Sequence, residues 1–593
     1  MKNSIIYIVL FWSAFAFSQN EQLAQYYYDK GDFEKAKISY EELLNSSPSN
    51  TQYFLRTIDC YQQLQQFDTA QKVIQDRYNK YKQGVFLVEL GYNFQLQKND
   101  AKAKSYYEQA IEKIKTNPND VYGVGNSFEK KVLLEYALRA YQTAMSIQPN
   151  YNFNFQIGML YGQLGQTDQM IDLLLTESYK NPQNANLIQT QLSRFMNGET
   201  DNTAFKDAMR KALILRTQKD QDVFWNHYLS WFYVQQKEFG KAFIQEKAIY
   251  KRDPESLSSI VNLGQFALNE DDTDTAEEIF NFILQTTKDR DLLIQTNSSL
   301  MQIKIDKAQE KEYPLINSEL QQLLITYEIT PFTLSLQIIQ AHFLAFSLKK
   351  TEEGKDIIKK ALELNLNAYQ QADAKMELAD ILLLEEKFNQ ALIYYSQIQL
   401  DLKNDVMAHE ASLKAAKTSY YKGDFEWALK QFKELKAANT QLIANDALEY
   451  FLLINDNTVA DSTQTALKQF AKGDFLMYQN KKQEAIAQFQ GILKTFKGQE
   501  IEAVTMLRLG KIYESLKDYT SALAQYQQII DYHGDGIYID EALFFSAEIY
   551  NDELHNAEKA KPLYEKVIFN HQDSIYFVDA RKKYRELRGD KNL

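Results

Sequence analysis

The sequence predicts an all-α protein, a right-handed superhelical solenoid of stacked helix–turn–helix units. Three observations predict it. Only 8 prolines and 20 glycines punctuate 593 residues, too few for a chain of hairpins, while Ala, Leu, Gln, Lys and Glu fill the stretches between them. A chain of this length exceeds what one core organises, so several domains or one elongated array follow. Finally, a phrase returns: KGDFEKA at residues 30–36 is nearly repeated as KGDFEWA at residues 422–428. An active site is built once; a structural unit is built many times.

The units are found by lining up their alanines. Ala36, Ala70, Ala103 and Ala137 are separated by 34, 33 and 34 residues. Met170 follows at 33 and, after one blurred unit, Ala242 and Ala276 are again 34 apart. Around each stands the same order of small residue, aromatic, alanine, aromatic and often proline. Ala24, Tyr27, Ala36, Tyr40 and Pro48 form one set, and Gly91, Phe94, Ala103, Tyr107 and Ala110 another. Gly125, Phe128, Ala137, Tyr141 and Pro149 form a third. Later units agree, with Gly264, Ala276 and Phe280, with Ala379, Ala391 and Tyr395, and with Gly510, Tyr513, Ala522 and Tyr526. Each unit reads as two amphipathic helices and a turn. The small residues let the helix backbones approach, and the aromatic fills the space beside the crossing. Proline stops the second helix. One pair cannot bury its apolar face alone, so neighbours stack.

Two irregularities set expected boundaries. A third KGDF, residues 472–475, is out of phase, because the alanine of its unit is Ala485. The step from Ala428 to Ala485 is 57 residues, and that from Ala522 to Ala560 is 38. The organisation expected is a leader over 1–18, an N-terminal array over 19–290 and a central array with degenerate repeats over 291–438. An extra helix and loop then occupy 439–466, before a C-terminal array over 467–593.

A period near 34 with this residue order resembles the tetratricopeptide repeat family. The resemblance implies a solenoid whose first helices line a groove for a peptide or a partner's helix. The last two units, "EAVTMLRLGKIYESLKDYTSALAQYQQIIDYHGDGIYIDEALFFSAEIY" and "YEKVIFNHQDSIYFVDARKKYRELRGD", are similar to the C-terminal repeats of bacterial envelope proteins. Those proteins act in outer-membrane assembly or cell-wall coordination, which implies an envelope role here. Chaperone-binding members of the family carry a lysine and asparagine clamp for a terminal carboxylate. The corresponding pairs here, such as Phe155 with Met159 and His227 with Trp231, do not match it.

The N-terminal MKNSIIYIVLFWSAFAFSQN has an early lysine, an apolar run and small residues at Ala16 and Ser18. It reads as a secretory signal peptide cleaved after Ser18. The lone Cys60 excludes an internal disulfide, and the net charge of −13 disfavours nucleic acid. No later segment is apolar enough to span a membrane. The six histidines fall in different units without paired-ligand spacing, and Gly123 with Gly125 is a lone GxG that no strand precedes. DYHGDGIYIDE imitates a calcium loop through Asp531, Asp535, Gly536 and Glu541, yet His533 takes a ligand position and the glutamate comes one residue early. DTA at 68–70 and 274–276, DST at 461–463 and DSI at 573–575 resemble acceptor triplets for O-glycans of Bacteroidetes-type bacteria. What remains is surface. FWNHYLSWFYV places Phe224, His227 and Trp231 on one helix face with Tyr228 beside them, a stripe that serves either partner binding or packing.

The expectation is therefore an exported scaffold with no active site, cofactor or metal, in the periplasm or on the periplasmic face of the outer membrane. Its partners are envelope proteins or peptides, and peripheral association with an outer-membrane complex fits. The alternatives are glycan or peptidoglycan binding, and an accessory subunit of an envelope enzyme with its chemistry in residues 289–330.

Overall fold

A computed structural model describes residues 20–197, 202–254, 257–436, 441–459 and 463–589. The leader assigned to residues 1–18 lies outside them. Every regular element among the described residues is a helix. The chain divides into two compact units, one ending at Leu229 and one beginning at Ser230.

The first unit is a stack of antiparallel pairs. These are α1 (20–29) with α2 (Phe33–Ser46), α3 (Thr51–Gln63) with α4 (Phe67–Tyr81), and α5 (Val85–Leu96) with α6 (Asp100–Thr116). Then come α7 (Val121–Lys130) with α8 (Leu134–Ile147), α9 (Asn154–Gln163) with α10 (Thr167–Lys180), and α11 (Ala185–Met196) with α12 (Thr203–Lys219). The divide between units falls within α13 (Val223–Gln235).

The second unit continues with α14 (Phe239–Arg252), the pair α15 (Ser258–Asn269) and α16 (Thr273–Thr286), and the pair α17 (Arg290–Lys307) and α18 (Tyr313–Tyr327). Next are α19 (Leu334–His342) with α20 (Thr351–Leu362), α21 (Ala368–Leu384) with α22 (Phe388–Asp401), and α23 (Val406–Lys422) with α24 (Phe425–Leu435). A single helix, α25 (Gln441–Val459), precedes α26 (Thr465–Tyr478) with α27 (Lys482–Thr495) and α28 (Ile501–Ser515) with α29 (Tyr519–Tyr532). The pair α30 (Ile539–Glu548) and α31 (Ala557–Asn570) and a last helix, α32 (Phe577–Arg588), complete the unit.

One contact recurs in both units. A Cβ added to Gly125 would meet the Tyr141 ring at 2.7 Å, one on Gly264 the Phe280 ring at 2.8 Å, and one on Gly473 the Phe489 ring at 2.6 Å. Gly91 against Tyr107 and Gly510 against Tyr526 are tighter still. In each case the ring lies sixteen positions after the glycine, so the second helix of a pair fills the space that the first leaves empty. The alanine twelve positions on completes the crossing, and Ala36, Ala103, Ala137, Ala276, Ala391, Ala428 and Ala522 are all buried. Tyr40, likewise buried, donates from its hydroxyl to Gln25 at 3.0 Å, as Tyr107 does to Gln95 at 2.7 Å and Tyr395 to Asp380 at 2.5 Å. These three buried rings thus keep a hydrogen bond.

The turn inside each pair explains the returning phrase. Its second residue is left-handed, at φ +76° for Gly31 and +84° for Gly423. The N–H of the next residue reaches back to the carbonyl five positions earlier, Asp32 to Tyr27 at 2.9 Å and Asp424 to Ser419 at 2.9 Å, closing the helix end as a Schellman motif. Glycine adopts this conformation without cost. Other units use Gln65, Lys98, Lys517 and even the β-branched Val132, at φ +56°. The third KGDF lies inside α26, where Gly473 is a crossing glycine and not a turn glycine.

Irregular spacings have local causes. In the blurred unit α12 buries Phe205 and Met209 where other second helices carry alanine and tyrosine. In α18, Ile316 and Leu320 take those places, so residues 289–330 are another helix pair. Between Ala428 and Ala485 stands α25, and a π-turn at Ile549–Glu553 with a longer loop lengthens the step from Ala522 to Ala560. Beyond α25 the chain returns to helices almost a hundred residues earlier. The Tyr478 hydroxyl donates to the Asp380 carbonyl at 3.0 Å, Gln479 Nε2 donates to that of Leu384 at 3.1 Å, and Phe475 packs on Phe388.

Two outcomes follow from the crossing and the turn. Gly91→Ala, which raises helix propensity, should nevertheless destabilise the α5–α6 pair by about 1–3 kcal/mol, because the new methyl meets the Tyr107 ring. Urea unfolding and faster amide exchange in α5 and α6 measure it. Val132→Gly should instead stabilise the chain by about 1 kcal/mol by relieving a left-handed valine that packs nothing in its exposed position.

Candidate functional site

A groove of about 780 Å³ lies in the first unit, bounded by the first helices α3, α5 and α7 with Tyr28 of α1. Its position follows from the pairing. Second helices supply the rings that fill each crossing, so first helices are left to face the groove with polar side chains.

Its electrostatics centre on Lys131. The ammonium lies 2.6 Å from Asp59, 3.2 Å from Glu89 and 4.5 Å from the centre of the Tyr92 ring. Ser127 donates its hydroxyl to Glu89 at 2.8 Å. Burial pushes the Glu89 carboxyl above the usual range, and Lys131 offsets this only in part. For Lys131 burial acts downward, but the carboxylates of Glu89 and Asp59 outweigh it and hold the ammonium above the usual lysine range. Three cations, Arg56, Lys130 and Lys131, face three carboxylates, Asp59, Glu89 and Asp120, so the lining is neutral overall. Arg56 covers a face of Tyr28 at 4.3 Å, and Asp120 accepts from the Gly84 amide at 3.0 Å.

Amides dominate the accessible rim, where Gln52, Gln63, Gln83, Asn119 and Asn126 are exposed. Gln62, buried in the lining, leaves its Nε2 without an acceptor. Each primary amide both donates and accepts, which matches the peptide group. Sequence reading missed this groove because its members come from four helices and none belongs to a motif. The signal that existed was the polar residues of two first helices, Gln52, Arg56, Asp59 and Gln63 in α3 and Asn126 and Lys130 in α7.

The aromatic stripe on α13 is placed as follows. In the first unit Tyr228 is buried and shares a hydrogen bond of 2.9 Å with Ser178, and Phe224 is half-buried against Tyr179 and Trp225. His227 is exposed. Trp231, half-buried, belongs to the second unit. The buried Cys60 thiol is pushed up to about 12 by burial first and by Asp59 next. Among the described residues no group of three His, Cys, Asp or Glu side chains is arranged to hold a metal ion, and no helix is long and apolar enough to cross a membrane. Of the glycan-acceptor triplets, Thr69 is exposed, Thr275 and Ser574 are half-buried, and Asp461 and Ser462 lie outside the described residues.

Models of the tetratricopeptide repeat match residues 20–50 and 505–535, which are the pairs α1–α2 and α28–α29. The chain therefore carries tetratricopeptide repeats near both ends, and these imply protein partners. No curated protein matches it. Solved structures similar to it include Naa15/Naa10 bound to HypK-THB, at 11% identity and a TM-score of 0.30, covering 97% of this chain and 96% of that one. The APC/C hetero-tetramer Cut9-Hcn1 matches at 13% and 0.22, covering 96% of each chain. Yeast Tom70 matches at 14% and 0.30, covering 85% of this chain and 99% of that one. TM-scores this low carry no argument about this chain.

Lys131→Met would strand two carboxylates, one of them fully buried. The expected cost is about 3–5 kcal/mol, seen as accelerated amide exchange in α3, α5 and α7. Adding Glu89→Gln should restore most of it.

Proposed function

We propose that the protein is an exported, non-catalytic scaffold of the bacterial cell envelope that binds an uncharged, extended stretch of a partner polypeptide in the groove of α3, α5 and α7. The carrying observation is the groove's neutrality. Lys131 is spent on Asp59 and Glu89 and the lining's three cations are matched by three carboxylates, so no net positive charge selects a terminal carboxylate, while a rim of amides offers paired donors and acceptors to main-chain groups. A sugar would stack on Tyr28 and Tyr92, but Arg56 and Lys131 already cover a face of each, which favours a peptide over a glycan. The carboxylate Glu319 in residues 289–330 is held by Lys304 at 2.7 Å, which favours a packing role for that stretch over chemistry. Support for export and for the envelope comes from the leader-like N-terminal residues and from the likeness of the last two units to envelope repeat proteins.

A photo-crosslinking residue at Asn126, compared with one at the exposed Lys104 of α6, tests the reading in cells. Envelope proteins should recur at Asn126 only, and Gln63→Ala with Asn126→Ala, assayed from a crosslinker at Gln52, should abolish their capture. Equal capture from Lys104, or capture of cytoplasmic proteins alone, overturns it.

A further inference from the structure

At the C-terminal end of the second unit two successive loops repeat each other with a step of 38 residues. His533 corresponds to His571, Asp535 to Asp573, Ile537 to Ile575, Tyr538 to Tyr576 and Ala542 to Ala580. The tyrosine turns inward: the Tyr576 ring stacks on Phe544 at 4.7 Å, and its hydroxyl donates to Glu541 at 3.2 Å. Phe544 and Glu541 belong to α30, the helix that the first loop leads into, so the second loop is laid against the base of the first.

The isoleucines turn outward. Ile537 is 60% and Ile575 76% exposed, and Tyr532, Phe569 and Val578 beside them are more than 60% exposed. Five large apolar side chains in water, two on the loops and three on the helix ends that flank them, gain nothing for the fold and form a patch of the kind that partners cover. Around them Asp531, Asp535, Asp573 and Asp579 are exposed, and none makes an ion pair with a described residue.

We propose that these loops form a second docking surface, distinct from the groove, for a basic amphipathic helix of a partner protein. The uncompensated carboxylates select positive charge. They repel an anionic lipid surface and a second copy of the same patch. Packed helices stand about 8–10 Å apart axis to axis, close to the roughly 10.5 Å that seven residues of α-helix span, so apolar residues at i and i+7 of one helix suit two isoleucines on loops that lead into neighbouring helices.

The test uses the whole chain and a labelled leucine–lysine peptide of amphipathic helical design, read by fluorescence anisotropy. Ile537→Asp with Ile575→Asp adds negative charge, so a merely electrostatic contact would tighten; docking through the isoleucines predicts affinity weakened roughly tenfold or more. Asp535→Asn with Asp573→Asn should weaken binding too and reduce its salt dependence. Gln63→Ala with Asn126→Ala should leave it unchanged, so failure here and failure of the groove reading are separable. The proposal is overturned if the wild-type chain does not bind the peptide, if the isoleucine variant binds as well or better, or if a leucine–glutamate peptide binds equally. It is also overturned if phosphatidylglycerol vesicles float the chain in an isoleucine-dependent way.

Discussion

A missing side chain on one helix, filled by a ring from the next, is the constraint on which the rest of this protein depends. Gly91, Gly125, Gly264, Gly473 and Gly510 each admit the ring sixteen residues on, at a distance no Cβ would tolerate. The contact fixes how the two helices of a pair cross, and with it which side of each helix is left for the neighbouring pair. Because the same contact recurs, the pairs stack alike, and first helices collect on one face within each stack. The groove of α3, α5 and α7 is a by-product of that regularity.

The turn is the second constraint, and a softer one. Most pairs close their first helix with one left-handed residue, and glycine meets the need at Gly31, Gly165 and Gly423. Residues as different as Lys98, Gln65, Asp271, Glu386 and Val132 meet it elsewhere at some cost in strain, and the turn between α17 and α18 does without one. A crossing glycine has no such substitute in place, since its space is taken by the ring. Two glycines spelled in the same KGDF phrase therefore have unrelated jobs, Gly423 ending a helix and Gly473 lying inside one.

The two surfaces differ in how charge is handled. In the groove, three cations meet three carboxylates, and the buried Glu89 is tolerable only because Lys131 stands beside it. On the C-terminal loops the carboxylates are solvated and uncompensated among apolar tips. A neutral cavity lined with amides recognises main chain through hydrogen bonds, whereas an acidic apolar edge recognises a charged amphipathic face. A single chain with both can hold two partners by unlike chemistry.

The helical class, the pairing of helices and the turn phrase were all written in the order of residues, because each depends on contacts between positions sixteen or fewer apart. Such local rules leave a period, and a period is legible. Units in which Phe205 or Ile316 replaced the alanine blurred it, since a larger side chain is accommodated by shifts in neighbouring helices that no short window records. The return of α26 to α21 across almost a hundred residues left no mark on the spacing, and neither did the groove, whose Asp59, Glu89 and Lys131 come from separate pairs. Burial decides these features: whether a lysine is spent on its neighbours or free for a partner, and whether an isoleucine is core or surface, depends on what the folded chain brings beside it.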